Sequence, residues 1–320
     1  MTQKWVHFVA IGGTGMGALA ALMQDLGYFV TGSDGPLYPP MSSFLESRKI
    51  PLVATYDAKH LSSVFWQRAE LSYTKHPQLI VVGNAISRGH PEAAEAERLV
   101  AEGISERMSF AQALSHFCIR GTESFVVAGT HGKTTTTSLL TWCLESLGQN
   151  PGFFIGGIPK NFGLGCRVGA KKVFVSEGDE YDTAYWDKES KFLHYLPTWV
   201  LCTGIEFDHA DIFKDVHSIE AAFEKLVSKT TKGWVLVDDE SAPRKESLKT
   251  FPKLCSDKGI KLLRYGFSSQ SSYQIVSVEA SPHPVRESEI GSKIVVKTPQ
   301  WGEKIFFSPT IGKHNALNIC

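Results

Sequence analysis

The sequence carries no surplus of charge: 33 Lys and Arg stand against 33 Asp and Glu, a formal net charge of zero. A general nucleic-acid binder needs excess cations to neutralise phosphates, so that class is excluded, while one local phosphate site is not. Cysteine is sparse. Cys118, Cys143, Cys166, Cys202, Cys255 and Cys320 include no C-x-x-C pair, and their density is far below a disulfide scaffold. They read as reduced thiols of a cytoplasmic protein, with one buried disulfide as the alternative. No apolar run approaches the ~20 residues that span a bilayer. The opening, Met1-Thr2-Gln3-Lys4-Trp5-Val6-His7, lacks the apolar stretch of a secretory signal. No internal repeat or low-complexity tract stands out. What is present is ordinary: 42% hydrophobic and 21% charged residues, enough to bury a core. At roughly 100–200 residues per domain, 320 residues predict two domains, with three small ones as the alternative.

An apolar run from Trp5 to Ile11 leads into Gly12-Gly13-Thr14-Gly15-Met16-Gly17-Ala18. Leu19, Leu22, Met23 and Leu26 then recur at helical spacing, and Gly27 closes the helix. A second run, Tyr28 to Thr31, ends in Gly32-Ser33-Asp34. Strand, glycine turn, helix, strand and acidic residue make a Rossmann arrangement. The glycines let the backbone approach a diphosphate, whose charge is favoured at the helix N-terminus. Gly13 to Ala18 meets the G-x-G-x-x-A form, and Asp34 sits near the distance expected of a ribose contact. Alone, this motif fits NAD or NADP, another diphosphate, or a tight turn with no ligand. Further on, Leu79 to Val82 reads as a buried parallel strand. Asn84 follows at its C-terminal end, where open α/β sheets bind ligands. Pro91 then opens a helix rich in Ala and Glu.

A second loop is more specific. The strand Ser124 to Ala128 enters Gly129-Thr130-His131-Gly132-Lys133-Thr134-Thr135, and a helix runs from Thr136 to Leu147. Gly132-Lys133-Thr134 is the end of a P-loop, in which backbone N–H groups cradle phosphates, Lys133 reaches the terminal phosphates and the Thr134 hydroxyl ligates Mg²⁺. The strict pattern has Gly where this chain has Val127; here Gly129 gives a shorter loop. Next, Lys172 to Ser176 reads as a strand ending at Glu177, a usual place for a metal ligand beside a P-loop. Asp179, Glu180 and Asp182 read equally well as a solvated loop. Past the strand Thr198 to Thr203, His209 lies among carboxylates, suited to Mg²⁺ or phosphate, though a lone His is more often structural. A dehydrogenase needs one phosphate loop. Two loops favour an ATP-using enzyme whose second substrate carries a nucleotide.

Together these motifs resemble the Mur ligase family, the ATP-dependent amide-forming enzymes of peptidoglycan assembly. Val9 to Gly17 is similar to the UDP-binding loop of its muramate-using members, and Gly129 to Thr137 to their His-containing ATP loop. Glu177 and His209 fall where the family has metal-binding residues. Gly312-Lys313-His314-Asn315-Ala316-Leu317-Asn318 matches its adenine-site motif, G-x-H-N-x-x-N. The resemblance covers the whole chain and implies the following roles. Gly12, Gly13, Thr14, Gly15, Met16 and Gly17 hold a UDP-sugar, with Asp34, Asn84 and Arg88 nearby. Gly129, Thr130, His131, Gly132, Lys133, Thr134 and Thr135 hold ATP, with His314, Asn315 and Asn318 on the adenosine. Lys133, Glu177 and His209 serve catalysis, and Thr134, Glu177 and His209 bind Mg²⁺. Some members carry a carbamylated Lys after the metal-binding His; muramate-using members generally lack it, so Lys225 is not assigned that role.

Within the family, Asp179 to Tyr195 and Glu206 to Phe213 are closer to members that join an L-Ala-γ-D-Glu-meso-diaminopimelate peptide to UDP-N-acetylmuramic acid. Members that add L-alanine are the alternative, and a non-catalytic nucleotide-binding fragment is another. The implied chemistry is carboxylate activation through an acyl phosphate. The implied fold is α/β: a Rossmann-like parallel-sheet domain over 1–118 and a P-loop ATPase-like domain over 119–320. Strands near Tyr273 to Val278, Lys293 to Lys297 and Ile305 to Ile311 would add antiparallel pairs to the latter. In the family a third, peptide-binding domain follows. This chain ends at Cys320, two residues past Asn318, so weak or no turnover is expected of it alone. No nucleic acid and no membrane is expected as a partner.

Overall fold

The computed structural model describes residues 3–205, 216–238, 247–282, 284 and 289–320. Its contacts divide the chain into two compact units. The first takes in Met1–Thr122, Asn150–Phe174 and Tyr181–Tyr195; the second takes in Glu123–Gln149, Val175–Glu180 and Leu196–Cys320.

In the first unit, β1 (Trp5–Val9) is buried along its whole length, as a near-continuous apolar run broken only by His7 suits in a central parallel strand. It pairs in parallel with β2 (Phe29–Ser33) on one side. Beyond β2 lies β3 (Leu52–Val53). On the other side of β1 stands β4 (Leu79–Val82), followed by β5 (Glu106–Ser109). The order is β3-β2-β1-β4-β5. The direction of winding reverses between β1 and β4, and this opens a crevice at the C-terminal ends of those two strands. Helix α1 (Thr14–Asp25) buries Leu19, Leu22 and Met23 at i, i+3 and i+4, the spacing that puts them on one face. Two antiparallel additions complete the unit: Gly152–Phe154 with Cys166–Arg167, and Asp182–Ala184 with Asp187–Ser190. Phe154 packs on Phe110, ring centroids 5.1 Å apart, and Trp186 lies under the Arg107 guanidinium at 3.9 Å.

In the second unit, β6 (Glu123–Ala128) lies between the strand Trp199–Cys202, to which it is parallel, and the strand Val173–Gly178. Outward from Trp199–Cys202 the sheet continues through Gly233–Val237, Lys261–Gly266 and Tyr273–Pro282, all in parallel. Ile290–Thr298 and Gly302–Ser308 then add antiparallel pairs at the edge. The mixed α/β architecture and these late antiparallel strands match the sequence expectation. Trp234 and Phe251, both fully buried, meet at 5.6 Å and join strand Gly233–Val237 to helix Ser247–Asp257. Among the described residues no helix is long and apolar enough to cross a membrane.

Candidate functional site

The glycine loop of the first unit is built from the C-terminal end of β1. Ala10 takes φ +67°, and the N–H groups of Ala10 and Ile11 both donate to the Ser33 carbonyl at 2.9 and 3.1 Å. Gly13 then opens α1 with no side-chain cap, so its first N–H groups face outward as an anion site would need. Two of the glycines are there for packing. A Cβ on Gly12 would come within 2.2 Å of the Leu37 side chain, and one on Gly17 within 2.3 Å of Met41 Sδ and 3.2 Å of the Ile11 carbonyl. Thr14 and Met16 lie in the first turn of α1, and Met16 is buried. A Cβ on Gly13 or Gly15 would meet nothing nearer than 3.8 and 3.5 Å, so packing within the chain does not demand glycine there.

Asp34 does more than the sequence suggests. Its Oδ2 accepts from the Gly12 N–H at 2.5 Å, and its Oδ1 accepts from the Gly35 N–H at 2.7 Å and the Tyr56 hydroxyl at 2.8 Å. A carboxylate offers about four acceptor positions, and three are used in bracing the loop. Burial and the Asp34 carboxylate push the Tyr56 phenol well above its usual value. Asn84 is exposed just past β4, and Arg88 is exposed with its Nε 3.9 Å from Glu97.

Beneath this loop lies a buried polar network that the sequence reading passed over. Glu92, in the first turn of helix Pro91–Ala101, is fully buried. Its Oε1 accepts from the Asp57 N–H at 3.1 Å and faces His60 Nδ1 at 2.7 Å; its Oε2 accepts from the Ser33 hydroxyl. His7 Nε2 stands 3.3 Å from Ser33 Oγ and 3.9 Å from Glu92, and its Nδ1 meets Thr31 Oγ1 at 2.8 Å. Burial alone would raise the Glu92 carboxyl, yet the neighbouring His7 and hydrogen bonds from Ser33 and His60 hold it below its usual range. Burial also lowers His7, against the pull of Glu92.

In the second unit the phosphate loop follows β6. Gly129 takes φ +132°, and a Cβ there would meet Thr203 Oγ1 at 2.4 Å and the Gly204 carbonyl at 2.8 Å, so only glycine fits. Thr130 N–H donates to the Gly204 carbonyl at 2.9 Å, and the Thr203 hydroxyl donates to the His131 carbonyl at 2.5 Å. Gly132, in the left-handed region, caps helix Lys133–Ser146 without a side chain, leaving its first N–H groups unpaired within the helix. His131, Thr134 and Thr135 are exposed. Lys133 Nζ curls back: it donates to the Gly129 carbonyl at 2.7 Å and the Thr130 carbonyl at 3.3 Å, and meets both Glu180 oxygens at 3.0 Å. Thr134 Oγ1 donates to Glu177 Oε2 at 3.2 Å. Asn318 Oδ1 lies 3.5 Å from Thr136 Oγ1 and would meet a Cβ on Gly132 at 2.4 Å. Asn315 Nδ2 donates to the Ile311 carbonyl at 2.9 Å, and His314 is exposed. His209 lies outside the described residues.

The donor set tests the Mg²⁺ expectation. A hydroxyl and a carboxylate oxygen 3.2 Å apart at the helix start are hard oxygen donors, and Mg²⁺ takes one or two such ligands plus phosphate oxygens and waters. These residues fit it. Among the described residues there is no cluster of three or more His, Cys, Asp or Glu that would hold a metal unaided.

With this geometry in place, the comparison with known proteins is direct. The Mur ligase middle domain matches residues 127–320, and the catalytic domain of the Mur ligase family matches residues 5–118. The chain belongs to the Mur ligase family. It is 46% identical, over 69% of its length, to the UDP-N-acetylmuramate–L-alanyl-γ-D-glutamyl-meso-2,6-diaminoheptandioate ligase of Escherichia coli (strain K12), of which it covers 45%. The Haemophilus influenzae protein of that name is 41% identical over 77% of this chain and 51% of its own. This Mur ligase chain therefore spans about half the length of the curated relatives it matches. The crystal structure of the corresponding ligase from Neisseria meningitides superposes with a TM-score of 0.78 at 33% identity, covering 99% of this chain and 90% of that one. Of the residues above, Glu180, Glu92 and Tyr56 were not placed in either site by sequence. Only Glu180 had a local signal, its place three residues past Glu177.

Proposed function

We propose that this chain carries the nucleotide-binding parts of a cytoplasmic, ATP- and Mg²⁺-dependent ligase that joins an L-Ala-γ-D-Glu-meso-diaminopimelate peptide to UDP-N-acetylmuramic acid. The UDP-sugar loop falls in residues 1–118 and the ATP loop in residues 119–320. The observation that carries the reading is the convergence of Lys133, Thr134 and Glu177 at one helix start behind a glycine-fitted loop.

The chemistry sets the demands on these residues. The muramyl carboxylate oxygen attacks the γ-phosphorus of ATP, the bond to ADP breaks, and an acyl phosphate forms. The peptide amine then attacks the acyl carbon and expels phosphate, losing its proton. Two anions meet in the first step, so the barrier is largely electrostatic. With ATP bound, the helix N–H groups, and Lys133 once released from its in-chain acceptors, would face the phosphates, and Gly129 and Gly132 would let the backbone close around them. Thr134 and Glu177 would hold Mg²⁺, which when bound neutralises phosphate charge. His209 is the proposed second metal position, and His314, Asn315 and Asn318 the adenosine contacts. The glycine loop from Gly12 to Gly17, braced by Asp34, would take the UDP diphosphate, with Asn84 and Arg88 at the rim of the same crevice.

Calorimetry tests the reading. ATP with Mg²⁺ and UDP-N-acetylmuramate should each bind, and NADH should not compete with the UDP-sugar. Flat ATP titrations with and without Mg²⁺ would sink the ATP half. The acceptor is tested by ADP release: greater stimulation by L-alanine than by the tripeptide would overturn the peptide assignment.

A further inference from the structure

The P-loop lysine is not free to meet a phosphate. An ammonium has three N–H donors. Here they face four in-chain acceptors: the Gly129 and Thr130 carbonyls at 2.7 and 3.3 Å and the two Glu180 oxygens at 3.0 Å each. Glu180 is 5% exposed, so the pair is little screened by water. We propose that Glu180 is a positioning residue that holds Lys133 inside its own loop, and that an incoming polyphosphate must displace this carboxylate to reach the lysine. The inference rests on the ATP reading above.

Two physical effects point the same way. A phosphate oxygen that reaches hydrogen-bond distance of Nζ must take a donor from one of the present acceptors. It also brings negative charge within a few ångströms of the Glu180 carboxylate, and like charges at that range in a poorly solvated site repel. The resting pair therefore weakens polyphosphate binding through both lost contacts and repulsion. It also sets a threshold: an anion with little charge gains too little from Lys133 to release the lysine from Glu180. The site thus favours a ligand with several phosphates over one with a single carboxylate or phosphate. Glu177 is a separate group. It meets Thr134 rather than Lys133 in the contacts described above.

The test measures binding rather than turnover. Metal-free ATP and inorganic triphosphate are titrated into the wild-type chain and into Glu180→Gln, with thermal unfolding as a check on the fold. The amide keeps the shape and an oxygen acceptor for Lys133 but removes the charge. Both ligands should bind the variant on the order of tenfold more tightly. A loss of local structure would weaken binding, so a gain is a readout that a merely structural role would not give. If Glu180→Gln melts well below wild type, Glu180→Asp serves instead. It keeps the charge but shortens the reach, and should tighten the same ligands by a smaller factor. Unchanged or weaker binding in a folded variant overturns the proposal. A wild-type chain that binds neither ligand, with or without Mg²⁺, refutes the ATP reading itself and takes the gate with it.

Discussion

Removal of the Glu92 carboxylate should destabilise the first unit far more than its place in an Ala- and Glu-rich helix suggests. In Glu92→Ala, the half-buried Asp57 N–H, and the buried His60 ring nitrogen at 2.7 Å and Ser33 hydroxyl, all lose their acceptor. Leaving three hydrogen-bonding groups without their acceptor, at about 1–3 kcal/mol each, costs roughly 3–5 kcal/mol. For a unit of this size that corresponds to a fall in Tm on the order of 10 °C. Glu92→Gln should be milder. Its amide oxygen can face Asp57 and His60, and its NH₂ can donate to Ser33 or His7, so about 1–2 kcal/mol is lost. The same network fixes the direction of the pH dependence. Burial holds His7 below its ordinary value of 6.5, so under about pH 6.5 the unfolded chain takes up a proton that the folded chain refuses. That contribution to stability is present above pH 6.5 and is lost as pH falls. Glu92 is also held low, so its contribution is full above its ordinary value of 4.5 and is lost as pH falls through the folded value. Scanning calorimetry of wild type and both variants from pH 8 to pH 4 reads all of this. A Glu92→Ala variant within about 1 kcal/mol of wild type, or a wild type that gains stability on acidification below pH 6.5, would refute the reasoning.

Other outcomes follow from the two loops. Lys133→Ala should abolish ATP binding by calorimetry and leave UDP-N-acetylmuramate binding intact; joint loss would contradict the division of labour between the units. Gly129→Ala forces a methyl to 2.4 Å from Thr203 Oγ1 at φ +132°, so it should cost about 1–3 kcal/mol in urea unfolding and remove ATP binding. Thr134→Val, which deletes the hydroxyl facing Glu177, should reduce the Mg²⁺-dependent gain in ATP affinity on the order of tenfold, with metal-free affinity unchanged. Tyr56→Phe removes one of three hydrogen bonds that fix Asp34; UDP-sugar affinity should fall several-fold, in line with about 1 kcal/mol.

Much of the scaffold was legible in the sequence because the deciding signals are local. The all-buried run of β1, the spacing of Leu19, Leu22 and Met23, and the left-handed glycines of the phosphate loop each lie within a dozen residues. What escaped depends on pairing across long separations. The tie between Asp34 and Gly12 spans 22 residues. Glu92 meets Ser33 over 59 residues, and Glu180 meets Lys133 over 47. A carboxylate in a run of acids looks solvated until its partner is known. The expected antiparallel strands were found because alternation marks them, but their extents moved to Tyr273–Pro282, Ile290–Thr298 and Gly302–Ser308, since cross-strand registry rather than composition fixes strand ends.

The interleaving of the two units bears on synthesis. The chain passes between them at 122/123, 149/150, 174/175, 180/181 and 195/196. As the ribosome delivers it, the phosphate loop and its helix emerge while the first unit still lacks both antiparallel additions, and that unit is complete only once Tyr195 is out. A single proteolytic cut anywhere between 123 and 195 leaves neither product with a whole first unit, so trimming experiments that isolate the domains of a beads-on-a-string protein should yield none here.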